Sequence, residues 1–188
     1  MALPDDPAAR HARVAGELTR LVEGTRDWST PAPVGGWTAR DVVDHLVTWF
    51  PGFLAGGGIE LAPGPPTGAD PVAAWRHHAD AVQALVEQRG DEPFTHPRAG
   101  THQLASAVDR FYTADVFMHS WDLARATGQT ARLDEDFAGE LLVGMAQIED
   151  LLRSSGQYGA PVPVAADAPV VDRLMGFIGR DPAWAPPG

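Results

Sequence analysis

His45, Asp115 and His119 are polar residues placed at helical spacing among apolar ones, where an uncompensated polar side chain is costly. Asp115 and His119 stand four apart in Asp-Val-Phe-Met-His, so on a helix they share one face, with Cβ atoms roughly 6 Å apart. His45 lies in a separate amphipathic segment, DVVDHLVTWF. Two imidazoles and a carboxylate on two helices can form a facial metal site with positions left open for water or substrate. The blander alternative is self-sufficiency: Asp115 accepts a hydrogen bond from His119 one turn away, and His45 is a satisfied core histidine. The conjunction favours a site. Three metal-competent side chains on inner helical stripes are hard to satisfy without a shared partner, and a cation readily compensates a buried carboxylate. Asp122, three residues after His119, competes as a ligand or orients an imidazole N–H from behind; otherwise it partners Arg125 or the Trp121 indole.

Other chemistries lose ground on composition. The chain has no cysteine, which removes disulfides, thiolate ligands and a protein thiol nucleophile, so a metal would rest on His, Asp, Glu or backbone oxygen. All fourteen basic residues are arginine, which excludes a Schiff-base lysine. A net charge of −11 and the lack of an arginine run argue against nucleic acid. Ser120 beside His119 does not suggest a serine hydrolase, because neighbours on a helix point about 100° apart and no nucleophile elbow occurs. GxGxxG, P-loop and HExxH patterns are missing too. The segment MALPDDPAARHAR has no apolar stretch, and no segment approaches the roughly 20 apolar residues of a membrane span, so a cytoplasmic protein without membrane contact is expected.

The elements that must position these residues are helices. One is predicted from Pro7 to about Thr25, with Val14, Leu18, Leu21 and Val22 inward. A turn-rich loop, Trp28 to Trp37, precedes a second helix that starts at Thr38 with a capping-box-like Thr38-Ala-Arg-Asp41. Pro51 is expected to kink or end it, and a Gly/Pro-rich loop follows. A third helix is predicted from about Asp70 to Gln88; its His77 and His78 are adjacent, only one can face inward, and a solvated surface pair is the preferred reading. The stretch RGDEPFTHPRAGTH reads as a loop, and His11, His96 and His102 carry no signal. A long fourth helix is predicted from about Thr101 to Ala126, ended by Thr127-Gly128, with Leu104, Val108, Phe111, Asp115, Met118, His119 and Asp122 on its stripe. A fifth runs from about Asp134 to Arg153, and a Pro-rich connector leads to a short helix from Val170 to Ile178. The six tryptophans read as packing anchors. No alternating strand pattern is seen, so an all-α bundle with its polar site between helices is expected.

Two motifs carry a resemblance. W-T-x-R-D-V-x-x-H-L (Trp37 to Leu46) and D-x-F-x-H-x-W-D-L-A-R-A-T-G (Asp115 to Gly128) resemble the DinB-like/YfiT superfamily. They are most similar to its actinobacterial branch, which resembles the N-terminal domain of mycothiol-dependent maleylpyruvate isomerase. The closing segment, APVPVAADAPVVDRLMGFIGRDPAW, resembles that of single-domain members, so the likeness spans nearly the whole chain. It implies a four-helix bundle of up-down-down-up topology, here with an additional short C-terminal helix. It further implies one domain over residues 1–188, with the Pro-rich segment from about 157 to 188 packed on it. It also implies a divalent metal, zinc or nickel foremost, on His45, Asp115 and His119. Asp115 stands where the isomerases use Glu, one methylene longer, and the 188 residues hold no counterpart of the isomerase's separate C-terminal domain.

The activity implied is metal-dependent thiol transfer or isomerisation. Mycothiol would be the thiol cofactor, and a small electrophile the substrate. Arg125 is then a candidate to hold an anionic cofactor or substrate group, with Asp122 beside it. A non-catalytic metal or small-molecule binding module is the alternative. A helical homodimer with a metal-free His–Asp network is the third reading.

Overall fold

The computed structural model describes residues 2–187. Helix α1 (Pro7–Gly24) begins where the Asp6 carboxylate accepts from the Ala9 N–H at 2.8 Å, with proline in the first turn. Helix α2 (Ala39–Gly56) opens on the anticipated capping box: the Thr38 N–H donates to Asp41 at 2.7 Å, and the Asp41 N–H donates to the Thr38 hydroxyl at 3.4 Å. It does not stop at Pro51. A proline inside a helix costs about 3 kcal/mol, but Phe50 and Leu54 on either side are fully buried, and each such side chain contributes about 2 kcal/mol. Helix α3 (Pro71–Arg89) is capped by Asp70, which accepts from the Val72 and Ala73 N–H groups.

The predicted loop after α3 is instead a small antiparallel hairpin, β1 (Pro93–His96) with β2 (Gly100–Gln103), in register Phe94 to His102. Buried Phe94 anchors it. Four residues a side are too short to show alternation, and Gly100 supplies the left-handed turn at φ 80°. The long helix therefore starts at Leu104 rather than Thr101. Helix α4 (Leu104–Ala107) passes into a π turn (Val108–Thr113) and on into α5 (Ala114–Thr127), which Gly128 ends at φ 66°. In the π turn the Ala114 N–H donates to the Asp109 carbonyl five residues back. That extra residue rotates Tyr112 and Thr113 fully into the core, whereas the regular stripe had picked out Phe111, which is only half-buried.

The predicted fifth helix is two pieces, α6 (Glu135–Ala146), capped by Asp134, and α7 (Glu149–Ser155). Only Phe137 and Ala138 of α6 are buried and no residue of α7 is, so no apolar stripe holds the two collinear. Val143, Ile148 and Leu151 stay exposed there. Helix α8 (Val170–Phe177) packs on α6.

Helices α1 and α2 each pack against α3 and α5, which makes an all-α four-helix bundle around Leu18, Leu46, Trp75, Val82 and Leu123. No helix among the described residues is long and apolar enough to cross a membrane.

Candidate metal centre

The capping box at Thr38 fixes the phase of α2 so that Val42, Leu46 and Phe50 enter the core. His45 then falls at the edge of that stripe, facing α5. On α5, Asp115 and His119 share the opposing face. One nitrogen or oxygen from each of His45, Asp115 and His119 lies within 4.8 Å of the others. His45 Nε2 is 3.2 Å from Asp115 Oδ2, and His119 Nε2 is 3.5 Å from Asp115 Oδ1. The cluster is graded in exposure: the side chains of His119, Asp115 and His45 are 6%, 17% and 31% exposed. It is therefore open on the His45 side and closed behind His119.

Behind His119 lies a relay that fixes the imidazole. Its Nδ1 is 2.9 Å from Asp122 Oδ2. Asp122 is fully buried and accepts from the Arg180 guanidinium, Nε to Oδ1 at 3.2 Å and Nη2 to Oδ2 at 3.1 Å. With Asp122 on Nδ1, the Nε2 of His119 is the nitrogen left to face Asp115, the arrangement by which a carboxylate orients a metal-ligating imidazole.

Electrostatics agree with the geometry. Burial works against a charged His119, but Asp115 and the bonded Asp122 outweigh both it and the opposing Arg180, so its pKa lies above the ordinary imidazole value. Burial likewise opposes ionisation of Asp115. The charge of His119 and the bonds from His45 and Trp49 nevertheless hold the Asp115 carboxyl below its usual range. The same holds for Asp122, where burial is overcome by His119 and Arg180.

Aromatic rings enclose the centre. Trp37 stacks on His119 (5.7 Å between centroids, 18° between planes) and lies 5.1 Å from His45. The Trp49 indole N–H donates to Asp115 Oδ2 at 2.9 Å. These two tryptophans thus do more than anchor packing. Their position was visible in sequence only as the residues beginning the first motif and following His45 by one turn.

Arg180 left no sequence signal, since it sits in a Pro-rich tail outside any periodic segment. Tertiary contacts deliver it. Arg153 donates to the Gly159 and Phe177 carbonyls, and Gly179, at φ 87°, lies so close to Gly159 that a Cβ there would stand 2.7 Å from the Gly159 Cα. Gly179→Ala is accordingly expected to cost about 1–3 kcal/mol and to displace the neighbouring Arg180. Urea unfolding and zinc titration of the variant measure the two effects. Arg125 is engaged elsewhere: it donates to the Pro182 carbonyl and its guanidinium lies 5.0 Å over the Trp121 ring. The cation against Asp122 is Arg180. His78 corrects a sequence reading, being buried while His77 is exposed, and His11, which carried no sequence signal, is fully buried.

Comparison with known proteins points the same way as this geometry. Two uncharacterized proteins of Mycobacterium tuberculosis, one from strain CDC 1551 / Oshkosh and one from strain ATCC 25618 / H37Rv, are each 29% identical over 182 residues, covering 93% of this chain and 98% of the relative. No solved structure gives a significant match. Residues 11–124, which include His45, Asp115, His119 and Asp122, match the model of the mycothiol maleylpyruvate isomerase N-terminal domain. A helical bundle that brings two imidazoles and a carboxylate together inside that matched span leaves one conclusion: the chain belongs to the family of the mycothiol maleylpyruvate isomerase N-terminal domain.

Proposed function

We propose that His45, Asp115 and His119 hold a divalent metal, zinc or nickel, in a thiol-dependent transferase or isomerase-like enzyme that uses mycothiol or a related thiol. The observation that carries this reading is the convergence of three donor atoms within 4.8 Å at a centre open on one side. The donor set suits the ion: two imidazole nitrogens and a carboxylate, without thiolate, match a borderline divalent cation. An ion there would supply positive charge that acidifies a thiol and polarises a carbonyl.

The chain's own residues have separate tasks in this scheme. Asp122, backed by Arg180, fixes the tautomer and aim of His119. The Trp49 N–H holds one oxygen of Asp115. Trp37 covers the two imidazoles and keeps water from that side. The exposed edge of His45 is the approach for a small electrophile. The protein has no cysteine, so the reacting thiol must arrive with the cofactor.

Elemental analysis of protein purified without a metal-affinity tag, wild type beside His45→Ala, tests this reading. About one metal per chain is expected in the wild type and near none in His45→Ala. The competing arrangement is a metal-free network in which Asp115 simply accepts from His45 and Trp49, at 3.2 and 2.9 Å. It predicts no metal in either protein even after incubation with Zn²⁺ or Ni²⁺. Retained metal without turnover of model electrophiles and thiol would instead favour a binding module.

A further inference from the structure

Five buried side-chain nitrogens and oxygens are left without a partner among the described residues, and three of them, His11 Nε2, His78 Nε2 and Tyr112 Oη, belong to neighbouring rings; the others are Gln83 Oε1 and Asp109 Oδ1. They come from α1, α3 and the π turn. The rings of His11 and His78 stand 5.7 and 5.5 Å from that of Tyr112. Gln83 donates to the Ala8 carbonyl and Asp109 pairs with Arg10 at 2.9 Å, so these two border α1 through other residues than His11. Buried polar groups in folded proteins are nearly all hydrogen-bonded, and a cluster of exceptions in one place signals a missing shared partner.

We infer that the interior between α1, α3 and the π turn is a second binding site, for ordered water that bridges His11 Nε2, His78 Nε2 and the Tyr112 hydroxyl. The donor balance suits water. The Tyr112 hydroxyl and each imidazole nitrogen can donate or accept, depending on rotamer and tautomer. A water both donates and accepts, so it can complete all three, and a buried water typically makes about three hydrogen bonds. The His11 Nδ1 is already 2.9 Å from the Thr113 hydroxyl, so either tautomer leaves Nε2 in need of a partner.

A cation fits poorly. None of the three central groups is a carboxylate, and Asp109 on the π turn is already paired with Arg10. Burial, with Asp115 adding, keeps the Tyr112 hydroxyl protonated. The site is also distinct from the metal centre. The Trp49 ring contacts Tyr112 at 5.9 Å while its N–H serves Asp115, and Tyr112 stacks on Phe50 at 4.0 Å. The site lies under the turn from which α5 starts, and water there would saturate the side chains that the π winding turns inward.

A crystal structure of the full chain with ordered solvent, water–protein NOE measurements on the His11 and His78 rings, and thermal unfolding of Tyr112→Phe test the inference together. The expected result is water within hydrogen-bonding distance of at least two of the three central atoms, with NOE cross-peaks to both rings. The Tyr112→Phe midpoint should fall by about 2–4 °C, since a bonded hydroxyl is lost. A dry site with the rings turned to bond one another would overturn it. So would a rise in the Tyr112→Phe midpoint, the sign that an unpaired hydroxyl has been removed, or a metal peak there that survives His45→Ala. If Tyr112→Phe does not fold, the solvent structure and NOEs of the wild type decide.

Discussion

Arg180→Met is expected to lower the unfolding free energy by about 3 kcal/mol and, at the proposed metal site, to weaken zinc binding about 10–100-fold. The guanidinium supplies two bonds to Asp122, whose side chain is fully buried. Without it, a carboxylate out of reach of water keeps only the His119 Nδ1. Removing one partner of a buried ion pair is costly because the remaining charge is uncompensated. The effect on metal follows from the relay: with Asp122 free to rotate or take up a proton, His119 loses its aim. The double variant Arg180→Met with Asp122→Asn separates the two consequences. It should recover most of the stability, because no buried charge remains, but not the metal affinity, because a neutral amide makes His119 a weaker donor. Urea unfolding of chelator-treated protein and calorimetric zinc titration read them independently. Equal metal affinity in Arg180→Met and wild type would detach Arg180 from the site.

Acid is the second large perturbation. Burial pushes the pKa of His11 down to about 4, and burial, with help from His11 and His77, pushes that of His78 down to about 4. Both are neutral in the fold and take up protons on unfolding below the ordinary imidazole value of about 6.5. Their contribution is whole above that value and is lost as the pH falls toward the folded pKa, at about 3 kcal/mol each. His119 acts in the opposite sense: its raised pKa contributes stability below the ordinary imidazole value and loses it at higher pH, which offsets part of the loss. Asp115 and Asp122, with depressed pKa values, lose their contribution only at lower pH, below the ordinary carboxylate value. The net fall is a sizeable share of the roughly 5–15 kcal/mol that holds a typical domain together. Urea unfolding of metal-free protein at pH 7, 6, 5 and 4 should show stability dropping steeply below pH 6.5. A flat profile from pH 7 to 5 would mean these histidines are open to bulk solvent or already charged in the fold.

Much of the fold is legible in the sequence. The 3.6-residue stripes of α1, α2, α3 and α5 are local patterns, and the caps at Asp6, Thr38 and Asp70 are local hydrogen bonds. The i,i+4 pair Asp115–His119 is likewise a consequence of helix geometry alone. That made the all-α class and the candidate triad readable from one chain. The sequence by itself thus determined which faces of the helices are apolar and which polar residues interrupt them.

Only the tertiary structure decided the rest. The π turn follows no repeat. It inserts one extra residue so that Tyr112 and Thr113, rather than Phe111, enter the core, because their partners Phe50 and His11 come from α2 and α1. His78 and His11 are buried by a helix packing that neither residue's neighbours reveal. The α6–α7 break reflects an absence of burial, which periodicity alone does not show. Arg180 reaches Asp122 across 58 positions of sequence through the contact of Gly159 with Gly179. Short-range spacing fixes what a side chain can offer; which charge stands behind it is set by contacts between segments far apart in the chain, and those exist only once the core has formed.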